Sequence, residues 1–327
     1  MDFYTKIDIP HFSFNIGHKD NILMLGSCFI ESIGGELEKS KFNLNLNPFG
    51  VLYNPQSIAQ ALELLIEKRE FTEQDLFEYC GLFHSFYHHS RYSDMDVEHC
   101  LKKINNSLNK ASFDLYNADI LILTFGTAYV YRHKARNMIV GNCHKLPASE
   151  FDRYRLSVND IVIRWQQLLR QLKAINPKLK VLFTVSPIRH LKDGAHDNQL
   201  SKSTLLLAVE ELCQMSGENY FPSYEIVLDE LRDYRFYKED MIHPDNVAIA
   251  YIWERFGETF FTADTQQIIT EWQKIESAIS HRPFNAQGNE YKRFLEQTLL
   301  KAETFGNKYP YICCEREIEL LKEKIKE

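Results

Sequence analysis

The most constraining feature of the sequence is a short apolar run near its start that stops abruptly at a glycine and a serine. Residues 22–25, Ile-Leu-Met-Leu, are continuously apolar, as expected of a central strand that is covered on both faces. Gly26 then permits a sharp turn, and residues 29–38 have the amphipathic pattern of a helix. The pattern therefore predicts a strand, a tight turn and a helix, with the hydroxyl of Ser27 at the helix N-terminus.

Strand and helix patterns then alternate along much of the chain. Apolar runs that end at turn residues or charges predict further strands at 118–126, 179–187 and 224–229, and a hairpin is expected around 129–140. Helical spacing of apolar residues predicts the connecting helices at 97–115, 158–174 and 200–215. Strands that alternate with helices of this length indicate an α/β fold, a three-layer α/β/α sandwich around a mostly parallel sheet.

The part of the sequence after His243 contains only helical patterns. We expect a sandwich domain over residues 1–262 and a helical C-terminal extension, 263–327, that packs on it. The basis for this packing is an apolar stripe at helical spacing, because such a stripe is more often core than a partner site. The stripe consists of Ile268, Ile269, Trp272 and Ile275.

Charge and composition narrow the range of partners. A formal charge of −7 and a pI near 6.0, without any run of lysine or arginine, argue against a nucleic-acid partner. No stretch approaches the ~20 apolar residues needed to cross a membrane, and residues 1–10 lack the pattern of a signal peptide. The seven cysteines are scattered and odd in number, as expected of reduced thiols. We therefore expect a cytoplasmic protein without a membrane partner; its oligomeric state is left open.

Ser27 has two possible roles. It could cap the helix that follows, which is a common task for serine. It could also be a nucleophile, because orphan amides and the helix dipole at that position favour the negative charge that develops when an acyl carbonyl is attacked. The second interpretation gains weight from the element Asp240-Met-Ile-His243, in which the carboxylate could fold back to fix the imidazole tautomer. Loops that follow strands of a parallel sheet converge at one edge, so Ser27 and His243 could meet there.

At this point the chain resembles the GSCFA family, which is related to the SGNH or GDSL-type hydrolases. The resemblance covers roughly residues 20–260 and depends on the order and spacing of short blocks. The blocks are Gly26-Ser27-Cys28-Phe29-Ile30, Asn47-Pro48-Phe49-Gly50, residues 123–129, residues 142–147, residues 184–189 and Asp240-x-x-His243-Pro244. A flavodoxin-like sheet of the SGNH type is the fold that this resemblance implies.

The resemblance also implies roles. Ser27 is similar to the nucleophile, His243 to its general base and Asp240 to the group that orients the base. Gly50 matches the second block, whose backbone amide would join that of Ser27 in stabilising the oxyanion. The third block departs from the family pattern: where SGNH enzymes have Gly-x-Asn, this chain has Gly126-Thr127-Ala128.

Loss of that amide can cost ~10²–10³ in rate. Thr127 or Asn142 could replace the missing donor. Arg189 and His190 follow the third of the predicted strands and lie on the same edge of the sheet, and for both of them substrate binding and a loop salt bridge are equally open.

The expected function is that of a serine esterase that removes a small acyl group from an ester, with acylated carbohydrates as the leading substrate class and without a metal or organic cofactor. Two alternatives stay open: an acyltransferase that uses the same serine, and a weakly active or non-catalytic carbohydrate-binding protein. His84, His88 and His89, in the aromatic segment 77–92, could be considered as metal ligands, and Cys28 as a nucleophile. Surface or substrate-lining positions for the histidines and burial of the thiol are favoured instead.

Overall fold

A central parallel sheet organises the part of the chain that carries these blocks. The computed structural model describes residues 4–281, 283–284 and 288–326. Its strands, in chain order, are β1 Ile22–Gly26, β2 Leu44–Leu46, β3 Phe77–Tyr79, β4 Leu82–His84, β5 Ile120–Phe125, β6 Tyr129–His133, β7 Met138–Ile139, β8 Phe151–Arg155, β9 Lys180–Val185 and β10 Asn219–Tyr220. Five of them form the central sheet in the order β2-β1-β5-β9-β10, and every neighbouring pair is parallel. This is the flavodoxin-like order expected from the sequence, and its switch point lies between β1 and β5.

Helices cover both faces of this sheet, which explains why all residues of β1 and β5 are buried. The fold is therefore the predicted three-layer α/β/α type with a mainly parallel sheet. The helices are α1 Cys28–Lys39, α2 Pro55–Ile66, α3 Val97–Asn117, α4 Val158–Ile175, α5 Gly194–Ser216, α6 Ser223–Glu225, α7 Asn246–Phe260, α8 Ala263–Ile279, α9 Asn289–Lys308 and α10 Glu315–Lys326.

Local sequence explains where the longer helices begin. Asn54 accepts a hydrogen bond from the amide of Ser57 at the start of α2, directly before a proline in the first turn. Ser157 and Asp160 form a reciprocal capping box at the start of α4. Such caps satisfy amides that the helix itself leaves without acceptors.

One predicted strand is wrong. Residues 224–229 were expected to form the fourth strand of the sheet, but the chain there is helical, in α6 and in a π-helical turn at Ile226–Glu230. The strand that pairs with β9 is the two-residue β10 just before it. Pro222 lacks the amide that would continue the ladder, and a short apolar run does not distinguish a buried strand from a buried helical turn.

Two smaller sheets accompany the central one. The hairpin expected around 129–140 is present as the antiparallel pair β6 and β7, to which β8 adds a third strand. The aromatic segment 77–92 contains the antiparallel pair β3 and β4. Its ordering is explained by aromatic packing, since Phe77 stacks on Phe86 with ring centroids 4.1 Å apart.

The chain divides into two compact units. One contains Asn21–Gly34 and Leu44–Arg255, and with them the central sheet and all the predicted site residues. The other consists of the described residues of Phe12–Asp20, Gly35–Asn43 and Phe256–Glu327. The expected boundary at residue 262, and the packing of residues 263–327 on the sandwich, stay predictions.

The second unit has a core of its own. Its cluster includes Trp272, Ile275, Leu295, Phe305 and Leu321, so the predicted stripe on α8 is buried. The indole Nε1 of Trp272 donates to the carbonyl of Lys39 over 2.9 Å. Lys41 forms an ion pair of 2.6 Å with Glu317. Segments far apart in sequence are thus joined within this unit.

Ending the chain at Thr262 should destabilise the protein that is left. The truncation removes Trp272 and the rest of this cluster, and deletion of a single large buried side chain already costs about 3–5 kcal/mol. Thermal unfolding of the truncated and full-length chains measures the effect. A truncated chain as stable as the full-length protein would contradict this prediction.

Several histidines in the first unit are buried, and burial keeps them neutral. Burial lowers the pKa of His88 to about 3, and burial together with His84 lowers that of His144 to about 4. His88 is stacked on Phe49 at 4.8 Å and has its Nδ1 2.9 Å from the hydroxyl of Ser85. Below about pH 6.5 the unfolded chain binds a proton at such a histidine and the folded chain does not, so acid favours the unfolded state.

We therefore predict that stability declines as the pH falls from 7 to 5, and that His88→Phe reduces this decline. Unfolded histidines bind protons below about pH 6.5, so His88 alone should account for roughly 2 kcal/mol of the loss at pH 5. Urea unfolding at both pH values measures it. The same substitution at exposed His99 is the control. If the free energy of unfolding fell by the same amount between pH 7 and pH 5 in wild type and in His88→Phe, the result would argue against the assignment.

Candidate active site

Ser27 lies at the switch point of the sheet, between the end of β1 and the start of α1. Its amide donates to the carbonyl of Thr124 over 3.2 Å, and the preceding amide, of Gly26, donates to the side chain of Asn47 over 2.9 Å. These bonds fix the turn that follows β1. The side chain of Ser27 is buried at 1 % exposure, and its hydroxyl has no hydrogen-bond partner among the residues that the structure describes.

The Asp240-x-x-His243 element folds as the sequence predicts for a carboxylate that orients an imidazole. One carboxylate oxygen of Asp240 lies 2.7 Å from Nδ1 of His243, and the other accepts the amides of Ile242 and His243 over 2.9 and 3.0 Å. Those amides, together with the imidazole, lower the pKa of Asp240 to about 2. The carboxylate is therefore ionised at neutral pH, and it favours the tautomer that leaves Nε2 of His243 as the acceptor.

Arg189 connects this element to the end of β9. Its amide donates to the carbonyl of Ile242 over 3.3 Å, and its guanidinium donates to the carbonyl of Met241 over 3.2 Å. A carboxylate partner for Arg189, as in a salt bridge, is not found within the described residues. Arg189 thus holds the loop of His243 against the strand edge.

Ser27 and His243 line the same cavity, of about 460 Å³. A volume in this range is typical of small-molecule sites. Three tyrosines and several basic side chains line its wall, and Arg153 among the latter is paired with Asp193 and lies over the ring of Tyr129. Its other residues include Cys28, Tyr53, Thr127, Tyr131, Asn142, Arg189, His190 and Lys192.

The structure does not bring Gly50 to this cavity. Its amide donates to the carbonyl of Asn47 over 2.7 Å, inside the loop after β2. Its φ of +79° is in the left-handed region, which accounts for a glycine there without any contact with substrate. The role of Gly50 as an oxyanion donor stays a prediction without support from its position.

The third block approaches Ser27, but its own polar groups are already paired. The amides of Gly126 and Thr127 both donate to the carbonyl of Tyr53, over 2.8 and 2.9 Å. The hydroxyl of Thr127 lies 3.1 Å from that of Ser201 and accepts the amide of Tyr129. Asn142 reaches the cavity, where its side-chain oxygen accepts the amide of His144 over 2.8 Å.

A row of buried polar residues on α5 was not predicted from the sequence. Asn198 accepts the amide of His190, Ser201 accepts the amide of Ala128, and Lys202 donates to the carbonyls of Gly126 and Ser186, both over 2.6 Å. They recur at the spacing i, i+3 and i+4, which places them on one helix face. The signal that the sequence offered for these positions was the occurrence of polar residues on a helix face that would normally be apolar.

The alternative nucleophile and metal ligands also have definite positions. The thiol of Cys28 lies 3.5 Å from the hydroxyl of Tyr53. The rings of His84 and His88 lie against Ser93 and Ser85, and that of His89 accepts the amide of Arg91. Over residues 4–281, 283–284 and 288–326, no three histidine, cysteine or acidic side chains are grouped as a metal site requires.

Comparison with protein-family models gives two matches. The model of the GSCFA family matches residues 21–256, and that of the GSCFA domain protein, C-terminal domain, matches residues 272–327. No curated protein matches the sequence. Within the described residues, no helix is both long and apolar enough to span a lipid bilayer.

Two solved structures are similar in fold. One is a proposed GDSL-like lipase from Parabacteroides merdae, at 11 % identity and a TM-score of 0.42, over 77 % of this chain and 99 % of that one. The other is a mutant of an acetyl-xylooligosaccharide esterase from Geobacillus, at 8 % identity and a TM-score of 0.40, over 76 % and 97 % of the two chains.

The packing around Gly126 provides a test of the site. A methyl group at this position would lie 3.0 Å from Cβ of Ser27, 3.0 Å from the carbonyl of Tyr53 and 3.5 Å from Nε2 of His190. Gly126→Ala should therefore displace Ser27 by a few tenths of an ångström; since a shift near 1 Å can reduce reactivity about 10²-fold, the expected loss is smaller, on the order of a few-fold to tenfold. The measurement is the labelling rate of Ser27 with a fluorophosphonate. Gly35→Ala is the matched control, because a methyl group there meets no described atom within 4 Å; equal rates for both variants would contradict the geometry.

Proposed function

The chain belongs to the GSCFA family, and we propose that it is a serine esterase of the SGNH type. One observation carries this proposal. An ionised carboxylate orients the imidazole of His243, and that imidazole shares a cavity with a buried serine hydroxyl. Nucleophile, base and orienting acid are the three parts that acyl transfer through a serine requires.

In the first half of the reaction, Oγ of Ser27 attacks the carbonyl carbon of the ester while His243 accepts the hydroxyl proton. Asp240 stabilises the imidazolium that forms without taking up the proton itself. The tetrahedral intermediate collapses, the alcohol leaves with the proton from His243, and the acyl group stays on Ser27. The distance between Ser27 and His243 is expected to shorten when substrate is bound, since catalytic hydrogen bonds in free enzymes are often long.

In the second half, water replaces the alcohol. His243 accepts a proton from the water, which attacks the acyl carbon, and the proton returns to Oγ of Ser27 as the carboxylic acid is released. No metal or organic cofactor takes part in these steps. If a sugar hydroxyl took the place of water, the same residues would perform acyl transfer, so product analysis distinguishes hydrolysis from transfer.

The wall of the cavity supports an ester of a carbohydrate as the substrate. Tyr53, Tyr129 and Tyr131 offer flat rings that carry hydroxyl groups at their edges. Such side chains combine an apolar face with a polar edge, which suits a sugar ring with its C–H faces and peripheral hydroxyls. The acyl group is expected to be small, because Ser27 is almost completely buried.

A fluorophosphonate should label Ser27, and mass spectrometry should locate the adduct there. On acylated sugars and artificial esters, Ser27→Ala and His243→Ala should each reduce kcat by a factor on the order of 10⁴–10⁶, and the double variant should lose little more. Cys28→Ser, the matched control beside the nucleophile, should retain most of the rate. Loss of activity in Cys28→Ser with activity retained in Ser27→Ala would make the thiol the nucleophile and refute the proposal.

A further inference from the structure

The oxyanion of the proposed reaction needs hydrogen-bond donors, and four backbone amides of the family's blocks are already engaged. The amide of Ser27 donates to Thr124, that of Gly50 to Asn47, and those of Gly126 and Thr127 to Tyr53. The side-chain amide that the family pattern supplies in the third block is replaced by Ala128. A side-chain donor from another part of the site would take the place of this missing group.

His190 has the position that such a donor needs. Its Nε2 is buried and has no hydrogen-bond partner in the described part of the chain, as is also true of the hydroxyl of Ser27. Both residues line the same cavity. A Cβ atom added to Gly126 would lie 3.0 Å from Cβ of Ser27 and 3.5 Å from Nε2 of His190. Buried polar atoms are nearly always paired, so two unpaired ones beside each other in a cavity indicate a place for a ligand group.

The backbone holds this imidazole in place. His190 follows the end of β9, and its amide donates to the side chain of Asn198 over 2.9 Å. Its ring meets that of Tyr53 edge-on, with centroids 6.1 Å apart. Arg189, one residue earlier, is bonded to the loop of His243. The same short segment therefore positions both imidazoles of the site.

The charge state of His190 suits a donor and not a base. Burial and the positive charge of Lys202 lower its pKa to about 4, with a further contribution from His243. The ring is therefore neutral at neutral pH and carries one N–H. When His243 takes the proton of Ser27, the new positive charge disfavours protonation of His190 further. His243, in contrast, has the carboxylate of Asp240 on Nδ1, as a general base requires.

We propose that His190 donates a hydrogen bond from Nε2–H to the oxyanion of the tetrahedral intermediate, in place of the asparagine missing from the third block. This inference depends on the proposed function, since it assigns a donor to the intermediate formed at Ser27. His190 does not gain or lose a proton in this role. The hydrogen bond strengthens as charge develops on the oxygen, so it should lower the barrier more than it improves binding of substrate.

Kinetics of two His190 variants test the assignment. His190→Phe keeps a flat ring without a donor and should reduce kcat about 10²–10³-fold with KM little changed. His190→Gln offers an amide donor and should recover part of this loss, on the order of tenfold. The labelling rate of Ser27 with a fluorophosphonate should fall in parallel, because the phosphonyl oxygen occupies the oxyanion position. His196→Gln, exposed on α5, is the control.

The outcomes separate the two proposals. If wild type neither hydrolyses esters nor reacts with the probe, the proposed function fails, and the donor role fails with it. If wild type is active and His190→Phe retains kcat within a few-fold, only the role of His190 is refuted. Equal losses in both variants together with an altered pH profile of kcat/KM would identify His190 as a base and overturn the assignment as a donor.

A measurement on wild type covers the case in which the variants do not fold. In ¹⁵N-labelled protein whose Ser27 has been phosphonylated, Nε2 of His190 should carry a proton that resonates downfield and is protected from exchange. His190→Gln, if folded, assigns the signal by its absence. An Nε2 that remains unprotonated in the adduct between pH 6 and 8 would refute the proposal.

Discussion

The parallel pairing of β1 with β5 is the interaction on which the candidate site depends. In this register Gly26 lies opposite Thr124, which in turn lies opposite Thr184 of β9. Because neighbouring parallel strands run in the same direction, the loops that follow them all begin at the same edge of the sheet. Ser27, Gly126 and the segment that leads to His190 are brought together in this way, although they are far apart in sequence.

Helix α5 contributes a second constraint, which is polar. A fully buried lysine is costly unless its donors are satisfied, and Lys202 satisfies them with the carbonyls of Gly126 and Ser186 at the ends of two neighbouring strands. Burial lowers the pKa of Lys202 to about 7. Together with Asn198 and Ser201, Lys202 fixes the loops that follow these two strands. This bracing explains the placement of Gly126, whose carbonyl accepts from Lys202.

The two imidazoles of the site have opposite environments. His243 is half exposed and held by an ionised carboxylate, which favours a role in taking up a proton. His190 is shielded and faces the positive charge of Lys202, which keeps it neutral. Environments that separate the protonation behaviour of like groups are how a protein assigns acid, base and neutral donor roles within one cavity.

Several features were determined by the sequence alone. The apolar run at 22–25 predicted β1, the alternation of patterns predicted a mostly parallel sheet, and the spacing of Asp240 and His243 predicted their hydrogen bond, because each of these depends on neighbours within a few residues. Asp240 precedes His243 by three residues, and the contact between them closes through local hydrogen bonds, without help from distant parts of the chain.

Other features were decided only by tertiary structure. Residues 224–229 are apolar in a way that suits a strand, but the strand position beside β9 is taken by β10, so the segment is helical. Gly50 matches the family pattern, yet its amide is directed at Asn47. The sequence placed His190 on the active edge of the sheet but not in a donor role, and Lys202 carries no motif, because both roles arise from burial and from partners at the ends of separate strands. Burial, charge and unpaired atoms result from how distant segments meet, and short-range sequence patterns do not contain that information.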